Sequence, residues 1–192
     1  MSTNDTTTSQ TPQWASDLLN FWFDELKPED WFSGNPTVDT RIRDRFAALY
    51  DRLCESIPDE AFKDPRTALA AIILYDQFSR NLFRGSAKAS ETDALALSIA
   101  RHALDNDFEA QMTKNEKTFL YLPFEHSEVL ADGERSVSLF AGLGDPMLSD
   151  YAVEHRDILA RFGRYPHRNK PLERENTADE VAFLKEHKGF GQ

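Results

Sequence analysis

Apolar residues recur along this chain at steps of three and four, and capping side chains and prolines mark the breaks between the runs. Thr11-Pro12, Asn35-Pro36 and Asp64-Pro65 each place a capping residue just before a proline. That pairing starts a helix, because the proline's missing N–H would have been unpaired there in any case. After the first, Trp14, Leu18, Phe21 and Trp22 keep a helical period. After the second, Val38, Ile42, Phe46, Leu49, Leu53 and Ile57 advance by 4, 4, 3, 4 and 4 with charged residues between them, the clearest amphipathic helix in the chain. After the third, Ala68, Leu69, Ile72 and Ile73 form an apolar face leading into Tyr75 and Phe78. Leu95, Ile99, Ala103 and Leu104 predict a helix over 87–106, and shorter helices are expected over 116–122, 134–143 and 151–162. The last helix opens on Thr177 and Glu180, a capping box, and closes near Gly189. No run alternates with period two and no Asn-Gly hairpin signal occurs, so the expected fold is all-α, built of stacked antiparallel helices.

Composition narrows the function classes. A chain of 192 residues fits one domain, and 40% hydrophobic residues with only eight glycines suit a folded, soluble one. Residues 1–11 read as a disordered polar tail and 12–192 as a single helical domain; the opening residues hold no apolar run, so no signal peptide is expected. Without a membrane-length apolar segment, the expectation is a cytoplasmic protein with no membrane partner. A net charge of -11 argues against nucleic acid, which needs a basic face. Cys54, the single cysteine, reads as a small packing residue. The fourteen phenylalanines must lie in the core or line a pocket.

Against this acidic background, 155–174 is a basic island that carries Arg156, Arg161, Arg164, Arg168, Lys170 and Arg174 against only Asp157 and Glu173. Such a reversal is answered by acidic partners within the fold or by an anionic ligand. Three stretches could carry chemistry. In the first, 75–85, helical spacing sets Asp76, Arg80 and Arg84 one turn apart with Gln77 and Asn81 beside them. This is either a surface ladder of ion pairs or an arginine fork oriented toward an anion. In the second, 121–128, His126 lies between Glu125 and Glu128, so carboxylates are in reach to tune it as an acid or base. In the third, His155 keeps helical spacing with Leu159 and Phe162 until Gly163 and Pro166 end the helix. The turn beyond offers Arg164, His167, Arg168 and Asn169, rich in donors and suited to a phosphate or carboxylate. Its competing reading is a helix C-terminus capped by its own basic residues. His126, His155 and His167 match no metal-ligand spacing, and the nucleotide and hydrolase motifs are absent, so neither metal nor cofactor is expected.

Trp31-Phe32 and the stretches 76–85, 121–128, 134–140, 162–169 and 177–183, in this order, resemble the bacterial domain of unknown function 924 family, over nearly the whole of 14–190. The resemblance implies an all-helical, tetratricopeptide-like fold and no particular activity. This chain departs from the pattern at Ser79, Gly133 and Glu173, where the family usually has Pro, Gln and Gly. The functional expectation is a pocket for a small anionic molecule. Asp76, Gln77, Arg80, Asn81, Arg84, Arg164, Arg168 and Asn169 would hold the ligand, with His126, Glu128, His155 and His167 as candidate catalytic groups. The alternative is a scaffold that binds a peptide or protein partner in an open groove.

Overall fold

The computed structural model describes residues 11–187 together with Gly189 and Phe190. Almost all of the expected tail therefore lies outside the described residues, and every regular element among those described is helical. Helix α1 (Gln13–Asn20) runs directly into a π-helical turn, Phe21–Glu25, and is followed by the short α2 (Pro28–Trp31) and by α3 (Pro36–Leu53). Then come α4 (Pro65–Ile72), a second π segment (Ile73–Phe78) and α5 (Ser79–Leu82) on one continuous stretch of helical backbone. The rest is α6 (Asp93–Asp105), α7 (Lys114–His126), α8 (Leu130–Ala141), α9 (Pro146–Phe162) and α10 (Ala178–Glu186), with 3-10 turns between. The all-α expectation holds, and the tetratricopeptide-like arrangement remains an implication of the resemblance alone.

The caps explain where helices begin. Asn35 accepts from the Thr37 amide and Asp64 from the Thr67 amide, while Thr113 with Glu116 and Thr177 with Glu180 form capping boxes. Thr11 departs from expectation: it does not cap α1 but donates its hydroxyl to Asp64 Oδ2 at 3.0 Å, tying the two helix starts together. The helix expected over 87–106 begins only at Asp93, because Ala87–Ser90 forms a 3-10 turn. Helix α7 outruns its predicted end by continuing through Pro123 to His126.

The 67–80 stretch is buried on all sides. It is therefore the hub of the fold, not an amphipathic surface helix, and α1, α6 and α7 pack against α4 while α3 packs against α5. Aromatic rings fill the space around it. Phe78 lies 5.1 Å from Phe46 and 5.5 Å from Trp22, and Trp22 meets Phe119 edge-on at 5.4 Å between ring centroids. Much of the phenylalanine content is thus accounted for by the core. Helix α7 packs on the hub and brings the second motif to the first, while α9 packs on α8 and α7.

Candidate functional site

A cavity of about 560 Å3 opens where these elements meet. Gln77, Arg80, Asn81 and Arg84 line it from the hub, Glu125 and His126 from the end of α7, and Tyr151 and His155 from α9. The remaining wall is apolar: Trp31, Phe32, Leu122, Phe140, Met147, Leu148 and Phe190.

The polar wall is a connected network. Asp76, fully buried one layer behind the cavity, accepts from His126 Nδ1 at 2.7 Å and from Gln77 Nε2 at 2.6 Å, and its backbone carbonyl accepts from Arg80 at 2.5 Å. Burial pushes the Asp76 carboxyl up, but His126 and the Arg80 charge outweigh burial and hold it well below the usual carboxylate range. Burial and the same Arg80 charge push the His126 imidazole down, against the pull of Asp76. The two directions describe one state, because a neutral imidazole still donates its Nδ1–H to an ionised carboxylate. With Nδ1 protonated, Nε2 carries the lone pair. No group among the described residues hydrogen-bonds this Nε2, and it is not sealed from the cavity.

His155 repeats the arrangement beside it, its ring meeting that of His126 edge-on at 6.4 Å between centroids. Its Nδ1 donates to the Tyr151 carbonyl at 2.8 Å, its ring stacks on Phe190 at 3.6 Å between centroids, and its Nε2 is likewise unpaired and open. Burial above all pushes its pKa down to about 3. Glu125, next to His126 on α7 and beside His155, is only 5% exposed. Its carboxyl accepts no hydrogen bond, and its Oε1 stands 3.4 Å from His155 Nδ1, whose N–H already serves Tyr151. Burial, helped by the Asp76 charge, pushes Glu125 up to about 8.

Of the expected residues, Gln77, Arg80, Asn81, Arg84, His126 and His155 line this one cavity, and Asp76 orients His126 from behind. Glu128, Arg164, His167, Arg168 and Asn169 are not part of the wall. Arg164 pairs with Glu180 at 2.7 Å, Glu128 with Arg174 at 2.7 Å, and Asn169 with Asn176 at 2.7 Å. Arg168, 9% exposed at its side chain, reaches Asp93 at 3.1 Å and lies 5.0 Å over the Tyr165 ring. His167 is held between Tyr165 and Phe190, and neither of its ring nitrogens has a hydrogen-bond partner. The surface-ladder reading of the first motif fails because Asp76 and Arg80 are buried; Arg80 also grips Asp93 at 2.8 Å, and Arg84 turns to Asp39 at 3.0 Å.

Sequence reasoning named Glu125 only as a carboxylate within reach of His126 and passed over the aspartates 39 and 93. The position of Glu125 beside His126 on α7 was visible; its loss of every donor was not. No group of three or more His, Cys, Asp or Glu among the described residues could hold a metal ion. No helix among them is long and apolar enough to cross a membrane.

An all-α chain with an aromatic-walled cavity that buried titratable side chains also line is the class of protein that these features define. The chain belongs to a bacterial family of proteins of unknown function, DUF924, which it matches over residues 18–188. It is 35% identical to a protein of unknown function from Agrobacterium tumefaciens whose structure is solved, and the likeness covers 93% of this chain and 100% of that one with a TM-score of 0.84. No curated protein matches it.

Proposed function

We propose that this protein binds a small organic molecule in the cavity and exchanges a proton with the molecule's polar group through Glu125 and His126. One observation carries the reading: a buried carboxyl without a hydrogen-bond donor among the described residues lines the same aromatic-walled cavity as two imidazoles whose Nε2 atoms have no partner there. Desolvating a carboxyl without compensation is costly, and such groups gather where their displaced pKa is used. Glu125 is the proton donor near neutral pH, and His126 Nε2, fixed by Asp76, is the acceptor. The volume, about 560 Å3, lies in the range of small-molecule sites, ~300–1,000 Å3.

The sequence expectation of an anionic ligand rested on the arginines, and each arginine of the three motifs faces a carboxylate of the protein. An anion would have to displace Asp39, Asp93 or Glu180 to reach one of them. The reading of a peptide or protein partner draws on a different observation: Phe32, Met147 and Tyr151 on the cavity rim are 60%, 62% and 48% exposed. The two readings separate in one experiment. A panel of small metabolites is scored by the rise in melting temperature, in parallel for the protein and for Leu148→Trp, which sets a bulkier ring into the cavity wall. A ligand whose stabilisation is lost in Leu148→Trp supports the proposal. If no panel member stabilises the protein, or if stabilisation is the same in Leu148→Trp, the proposal is wrong.

A further inference from the structure

The cavity has a sign, set by what is left unpaired. Arg80 and Arg84, the cations on its wall, are matched by Asp76, Asp93 and Asp39. Glu125 is matched by nothing. The open atoms of the polar wall are mostly acceptors: the Glu125 carboxyl, His126 Nε2 and His155 Nε2, both imidazoles having spent their N–H on Asp76 and on the Tyr151 carbonyl. The Gln77 amide already donates to Asp76 Oδ2. The rings of Phe140 and Tyr151 line the same cavity, and aromatic faces attract cations. The net charge of -11 draws cations and repels anions at longer range. The polar groups lie deep, with Glu125, His126 and His155 no more than 7% exposed, and the apolar Phe32 and Met147 stand at the mouth.

We propose that the cavity takes a protonated primary amine on an apolar body, with its nitrogen at Glu125 between His126 and His155. The apolar part then runs past Leu122 and Leu148 toward Phe32 and Met147. This inference rests on the reading of the cavity as a small-molecule site and adds the chemical class of its ligand. An ammonium brings three donors to three acceptors, which neither an alcohol nor a carboxylate does. Four titratable groups interact with Glu125 or flank it: Asp76 behind the wall, whose charge adds to burial in keeping it protonated, Tyr165, and the two imidazoles of His126 and His155 on α7 and α9. When the ammonium docks, Glu125 ionises and its proton leaves to the buffer, so the amine is held as an ion pair and one proton is released.

The test is titration calorimetry near neutral pH on the full chain with hexylamine, hexan-1-ol and hexanoate, repeated in buffers of different ionisation heat. The expected result is that hexylamine binds at least about tenfold more tightly than the other two, the worth of one charged hydrogen-bonded partner, and releases a proton. Glu125→Gln should erase both the preference and the release. This variant strands no partner, and the selectivity of the unaltered protein is read first, so the outcome does not depend on the variant. Hexanol or hexanoate binding as tightly as hexylamine, with Leu148→Trp abolishing it, overturns the amine and leaves the cavity reading in place. Failure of all three probes to bind, or binding that Leu148→Trp does not affect, overturns both.

Discussion

At the scale of the residue, burial decides what a charge is worth here. Arg168 and Arg84 are both arginines facing an aspartate, yet the Arg168 side chain is 9% exposed and that of Arg84 is 32%. Removing one member of a buried pair leaves the other desolvated and costs about 3–5 kcal/mol, whereas a half-solvated pair is worth ~1 kcal/mol or less. Arg168→Gln should therefore cost about 3 kcal/mol, at the low end because Asp93 keeps Arg80, and Arg84→Gln about 1 kcal/mol. Urea denaturation of the two variants measures both, and equal losses would show that burial is not the deciding factor. Half of the basic island is answered within the fold: Arg164, Arg168 and Arg174 pair with Glu180, Asp93 and Glu128. The same logic makes Glu125 the exception, a buried acid that no arginine answers.

At the scale of the element, helix starts were legible because a cap and a proline are local chemistry: Asn35 and Asp64 cap where they were expected to. What failed were properties set by distant chain. The π segment Ile73–Phe78 adds a residue to the turn without changing which residues are apolar, so no periodicity announces it. It sits beneath the cavity, and Tyr75 O is satisfied there by hydroxyls from Ser79 at 2.7 Å and Thr92 at 2.6 Å, one of them supplied where the family usually has proline. Half of the site was visible as motifs; the aspartates that bind its arginines lie 13 and 45 residues away in sequence and carry no signal. One family position can be read in hindsight. Glu173 has φ +54°, the left-handed region in which a side chain is strained, and glycine is the residue the family usually places there. Relief of that strain exceeds the extra chain entropy of glycine, so Glu173→Gly should raise stability by about 0.5–1 kcal/mol. A lowered melting temperature would mean that the Glu173 side chain earns its place through contacts that outweigh the strain.

At the scale of the whole molecule, the buried titratable groups pull stability in opposite directions as pH changes, and their balance fixes where the protein is most stable. His155 and His167 are pushed down to about 3, chiefly by burial, and His126 is lowered as well. A depressed base stabilises the fold above its ordinary value of 6.5; as pH falls below that value, the unfolded chain takes up protons that the folded one refuses. Glu125 works the other way. Its folded value of about 8 lies above its ordinary 4.5, so its contribution is complete below 4.5 and is lost as pH rises through 8. Below 6.5 three imidazoles outweigh one carboxyl and stability falls with acidification. Above 6.5 the imidazoles are spent and only Glu125 acts up to 8, at about 1.4 kcal/mol per pH unit. The profile should peak a little above 6.5 and decline toward 8. Chemical denaturation across this range measures it, and Glu125→Gln supplies the control: it should flatten the alkaline limb and leave the acid limb in place. An alkaline limb unchanged in the variant would mean that Glu125 is already ionised in the folded protein, and with that the proton donor at the centre of the cavity would be lost.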